Sequence, residues 1–82
     1  MNRFDDRYLT DDIRTELADI DPSERLSASA LRKRLQARGW SSNVLGLDTR
    51  ALVGTCQRLG FTVDAERAGA GWRCYILEET TS

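Results

Sequence analysis

The side chains of this sequence with chemistry to offer are its arginines. Eleven of the twelve basic residues are arginine, with Lys33 the exception. A guanidinium is a planar, permanently charged fork that matches phosphate oxygens and the major-groove edge of guanine. Histidine is absent from the 82 residues, which removes the commonest general base and the commonest zinc ligand. Cys56 and Cys74 stand eighteen residues apart with no other soft ligand, which is no zinc signature. Two buried thiols are expected, with a disulfide as the lesser alternative. The acidic Asp11, Asp12, Asp19 and Asp21 assemble no catalytic or metal constellation. Gly69-Ala70-Gly71 leads from one strand into another and lacks the Gly-Lys-Ser/Thr ending of a phosphate loop. No catalytic residue, metal, cofactor or small-molecule substrate is therefore expected, and the chain does not read as an enzyme.

The charges are segregated along the chain. Residues 1–24 hold three arginines against eight acidic residues, a net −5, whereas residues 25–75 hold nine basic residues against three acidic ones, a net +6. Glu78 and Glu79 restore the overall −1, so a pI near 5.3 conceals a basic middle. Together with a helix, helix, β-hairpin pattern over the same residues, this basic middle suggests a nucleic-acid-binding module, which neither observation would do alone. The length is that of one domain with a thin folding margin. No apolar run is long enough to span a membrane, and the start MNRFDDRYL has no secretory h-region, so a cytoplasmic protein is expected.

The elements that must position the arginines follow from periodicity. Residues 1–8 read as an arm whose Phe4 and Tyr8 pack back on the domain. A first helix is expected over residues 10–20, capped by Thr10, with Asp11 and Asp12 in its first turn and Leu9, Ile13, Leu17 and Ile20 at helical spacing. Asp21-Pro22-Ser23 ends it. A second helix over residues 28–38 follows an N-cap at Ser27 and buries Ala28, Leu31 and Leu35, with Gly39 at its left-handed C′ position and Trp40 folding back. Residues 41–47 form a packed connector. A third helix over residues 49–59 is capped by Asp48 and closed by Gly60. Its core stripe holds Leu52, Cys56 and Leu59, and its outer face holds Arg50, Gly54 and Gln57.

The clearest signal is the last. Residues 61–67 and 72–77 alternate about Ala68-Gly69-Ala70-Gly71, a hairpin whose register pairs Arg67 with Trp72, Glu66 with Arg73, Ala65 with Cys74, Asp64 with Tyr75 and Val63 with Ile76. Phe61, Val63, Ala65, Cys74 and Ile76 then form the buried face. Glu66 and Arg73 are expected to pair across the strands, Arg67 to stack on Trp72, and Tyr75 to be the one ring on an outer face. Without two or three exposed rings, no single-strand stacking platform is expected. The fold class is α+β, three helices and a C-terminal β-hairpin over residues 9–78, with a short strand near residues 25–27 as an optional addition and residues 79–82 as a frayed tail.

This order of elements resembles the winged helix-turn-helix domain. The resemblance rests on Ser27-Ala28-Ser29-Ala30-Leu31 opening the second helix, Asp48-Thr49-Arg50-Ala51-Leu52 opening the third, and Gly60-Phe61 leading into the hairpin. It is shared by bacterial and phage regulators and by the C-terminal winged domains of phage and plasmid primase-helicases. The seven-residue connector departs from the turn of about three or four residues in a simple helix-turn-helix. The resemblance implies a double-stranded DNA partner, with the third helix in the major groove. Thr49 and Arg50 would sit in its first turn, Gln57 two turns on, and Arg58 at its flank. Arg32, Lys33, Arg34 and Arg38 would lie along the phosphate backbone, and Arg67 at the wing tip. The alternative on the same fold is a protein-interaction module, a homodimer or a docking partner, using Val53, Val44 and Leu45. The acidic first segment has a further expected role, lying against the chain's own basic face.

Overall fold

The computed structural model describes residues 6–21 and 23–79. Among the described residues four helices accompany a three-stranded antiparallel sheet: α1 (Asp6–Asp19), β1 (Leu26–Ser27), α2 (Ala28–Ala37), α3 (Ser42–Leu45), α4 (Thr49–Arg58), β2 (Phe61–Ala68) and β3 (Gly71–Glu79). The sheet order is β1-β3-β2, so β3 is central.

α1 begins earlier than its capping pattern suggested. Leu9 and Ile13 are both buried, and Leu9 reaches the core only if the helix already runs beneath it. Thr10 is therefore an interior helical residue, and Asp11 and Asp12 lie beyond the first turn. Tyr8 belongs to this helix, not to an arm, and is 48% exposed rather than packed back. Phe4 lies outside the described residues. At the far end, the Asp21 carboxylate accepts from the Ser23 backbone N–H at 2.9 Å and from its hydroxyl at 2.8 Å, a local turn that holds the carboxyl below its usual range.

β1 is two residues long, Leu26 facing Ile76 and Ser27 facing Tyr75. It stops because Ser27 turns from strand to cap, its hydroxyl accepting from the Ala30 N–H at 3.2 Å. α2 buries Ala28, Leu31 and Leu35 as its periodicity requires. Its C-terminus is a Schellman motif: Gly39, at φ +104°, donates to the Gln36 carbonyl, and Trp40 donates to the Leu35 carbonyl. The connector is packed, as expected, but contains a single helical turn, α3, that buries Leu45 and leaves Leu47 85% exposed. Asp48 caps α4 by accepting from the Ala51 N–H at 2.8 Å, and Leu52 and Cys56 enter the core.

The hairpin has the expected register from Val63–Ile76 to Arg67–Trp72, and it slips by one residue between Val63 and Phe61, which faces Glu79. β3 thus continues into the segment expected to fray. Ala68 faces Gly71, and Gly69 alone of the two turn residues has positive φ, the pattern of a type II′ turn. Phe61 and Ile76 are buried against the helices, whereas Ala65, expected in the core, is exposed. The strands outrun α4, so the helix-facing side of the hairpin loses its cover toward the tip.

Candidate nucleic-acid interface

Half of the basic middle is engaged within the molecule. Arg34 donates to Glu16 Oε1 at 2.9 Å and approaches Asp19 at 3.5 Å, while Arg38 donates through Nε to Glu16 Oε2 at 2.5 Å and approaches Asp12 at 3.5 Å. Glu16 occupies a core-facing position of α1 and is buried. The Arg34 guanidinium first, and Arg38 second, hold its carboxyl below the usual carboxylate range, against the opposing effect of burial. Asp12 also accepts from Trp40 Nε1 at 2.6 Å. Arg34 and Arg38, expected along a phosphate backbone, are thus turned toward α1, and the acidic first segment does lie against part of the basic one.

Arg32 is also withdrawn. Its Nη2 donates to the Gly46 carbonyl at 3.0 Å and to Ser42 Oγ at 3.3 Å, and its Nε is buried without an acceptor among the described residues. It fastens α2 to the α3 connector, which displaces it from the expected phosphate-facing set. Only Lys33 of the four α2 cations is exposed and free of a partner among the described residues.

Arg25, which the sequence offered only as part of an optional short strand, organises the outer face of the sheet. It donates to Asp64 at 3.1 Å and to Glu66 at 2.5 Å, and its guanidinium lies 3.9 Å from the Tyr75 ring centroid. Glu66 is therefore paired with Arg25 rather than with Arg73, and Tyr75 is partly covered. The signal available was geometric: Ser27 opposite Tyr75 sets Arg25 two residues further along the same edge.

What remains is a surface made by α4 and the hairpin. Arg50, Gly54 and Gln57 are exposed on the outer face of α4, with Thr49 and Val53 half-buried at its border and Arg58 exposed at its flank. A Cβ built on Gly54 meets nothing within 4 Å, so none of the described residues requires glycine there. Arg67 and Arg73, at the hairpin tip, are exposed and without a partner among the described residues. Release of Arg73 from Glu66 adds it to the candidate set. No cation–π pair joins Arg67 to Trp72. Trp72 is instead 68% exposed and walls a cleft of about 470 Å³ together with Thr49, Arg50, Val53 and Cys74. Sequence reasoning passed over this ring because it assigned it to a stacking pair with Arg67.

Both cysteines are free thiols, and burial pushes Cys56 up to about 12. Among the described residues no cluster of three or more His, Cys, Asp or Glu is placed to hold a metal ion, and no helix is long and apolar enough to cross a membrane. Comparison with family models, with curated proteins and with solved structures finds no match to this chain.

Proposed function

We propose that the chain is a winged-helix module that binds double-stranded DNA, in a regulator or as an accessory of a replication protein. α4 is its major-groove helix and the β2–β3 hairpin its wing. The observation that carries this reading is the sorting of the arginines. Arg25, Arg32, Arg34 and Arg38 are consumed inside the molecule, while Arg50, Arg67 and Arg73, with Lys33, are left unpaired among the described residues. Three of those four lie on α4 and the hairpin. The β1-β3-β2 order supports the same fold, since a short strand pairing with the hairpin's second strand braces the wing against the helices. Arg50 is offered to guanine and Gln57 to adenine or a phosphate. The bare backbone at Gly54 lets α4 approach a groove closely.

The reduced set of cations sets a magnitude. With about four phosphates neutralised, log K falls with log salt at a slope of about −3 to −4. Fluorescence anisotropy with random duplex at ~50 mM and ~200 mM salt tests this. Binding absent at the lower salt refutes the proposal, and a slope of about −5 to −6 would mean that the α1–α2 ion pairs open to release Arg34 and Arg38. Lys33→Ala weakens binding to every sequence alike, whereas Arg50→Ala removes a site preference.

A second reading has its own observation. Trp72 and Leu47 are exposed at 68% and 85%, with half-buried Val53 in the same region as Arg50. Such rings and aliphatic groups anchor protein interfaces, so dimerisation or docking through this surface is the alternative. Leu45, buried, takes no part in it. Sedimentation distinguishes the two, because a dimer that covers Arg50 and Gln57 is incompatible with a major-groove helix.

A further inference from the structure

The cleft between α4 and the hairpin tip holds a feature that groove binding leaves unused. The Trp72 ring is 68% exposed. The register places Arg67 directly opposite it, on the same face of the hairpin. The first two turns of α4 supply Thr49, Arg50 and Val53 to the same open cleft of about 470 Å³. We propose that this cleft receives one unpaired nucleotide at the end of a duplex or at a break in it, the base stacking on Trp72 and its phosphate meeting Arg67.

Charge and shape select this occupant. No carboxylate lines the cleft, and the nearest acidic strand residue, Glu66, is held by Arg25 on the opposite face of the sheet. The cleft thus presents an apolar ring with Arg50 in its lining, and Arg67 stands across the strand pair from that ring, beside the lining rather than in it. An apolar peptide segment would satisfy Trp72 and Val53 but leave both guanidinia without a counter-charge. A nucleotide supplies an aromatic plane and an anion together, and stacking accepts any base because every base has a π-face. The volume lies within the range of about 300–1,000 Å³ typical of small-ligand sites. One ring is too few for a platform that tracks a single strand, which limits the site to a single base beside a duplex. The proposal rests on the nucleic-acid reading above, but not on any sequence preference of α4.

The test uses the full chain with three labelled duplexes of the same sequence: blunt, carrying a one-nucleotide overhang, and carrying the same overhang as an abasic residue, with the overhang on either strand. The expected result is about tenfold tighter binding of the base-bearing overhang than of the other two, with quenching of tryptophan emission. Trp72→Ala abolishes the preference and the quenching while the affinity for blunt duplex stays unchanged, and Trp72→Phe retains part of the preference. Equal affinity for all three duplexes overturns the stacking site and leaves duplex binding standing. A preference that survives Trp72→Ala overturns it as well. Failure to bind any of the duplexes removes both this site and the function on which it rests.

Discussion

Gly54 is where stability and the proposed duplex binding would pull in opposite directions. It lies in the interior of α4, where glycine costs about 1 kcal/mol relative to alanine, and its missing side chain faces open space. None of the described residues accounts for the cost. Gly54→Ala is therefore expected to raise stability by about 0.5–1 kcal/mol, a Tm increase of roughly 3–6 °C for a domain of this size. The same substitution is expected to weaken duplex binding, because the added methyl stands between the helix and the groove floor. Thermal denaturation and anisotropy on the one variant check both halves. A stabilised protein with undiminished affinity would separate Gly54 from the interface. The outward position of Gly54, with Arg50 and Gln57 on either side of it, was legible in the sequence because helical phase from Leu52 and Cys56 fixes it. The fates of individual arginines were not legible. Phase says which face a residue occupies, but Arg34 and Arg38 were captured by Glu16, a residue eighteen and twenty-two positions away on another element.

At the scale of elements, the α3 connector is the least readable stretch and among the most constrained. Gly46 has φ +94°, and a Cβ on it would lie 2.3 Å from Ala51 Cβ. Its carbonyl is also the acceptor for Arg32. Gly46→Ala therefore meets backbone strain and a clash with α4 at once, and a loss of about 2–4 kcal/mol is expected by chemical denaturation. Gly60 has a similar φ of +100° but open space around it, so Gly60→Ala is expected to cost less, about 1 kcal/mol from strain alone. The caps of α2 and α4, the Schellman ending and the hairpin register from Val63 to Arg67 were recoverable from sequence, since each is decided by residues a few positions apart. The start of α1 was not, because local capping preference at Thr10 was overruled by the need to bury Leu9, a tertiary requirement. The exposure of Ala65 escaped for the same reason: alternation fixes which face it occupies, and the length of α4 decides whether anything covers it.

At the scale of the whole molecule, the opposed charges of its two halves are a folding device as well as a candidate binding one. Glu16 is the hinge of this pairing, with both carboxylate oxygens accepting from α2 arginines. Its carboxyl is held below the ordinary value of 4.5 in the folded state. A group depressed in this way contributes stability that is present above that value and lost as the pH falls through the folded pKa. The protein is thus expected to lose stability on acidification below about pH 4.5, and Glu16→Gln to flatten that part of the profile. At neutral pH Glu16→Gln is expected to cost about 1–2 kcal/mol, discounted for the partial exposure of both arginines. Urea denaturation of both proteins at neutral pH and under acid conditions measures the two effects. An unchanged acid profile in the variant would assign the acid transition to other carboxylates.

β1 also constrains the order in which the molecule can be completed. Its two residues pair with Ile76 and Tyr75, about fifty positions later in the chain, and the Arg25 beside them reaches acids 39 and 41 residues away. During synthesis from the N-terminus, Leu26 and the helices around it emerge long before the strand that closes over them. The hairpin itself closes locally, across a two-residue turn. The core is sealed only when the last few residues of β3 have left the ribosome, so a nascent chain halted anywhere before Ile76 exposes the apolar faces of its helices to whatever chaperone or protease is nearby.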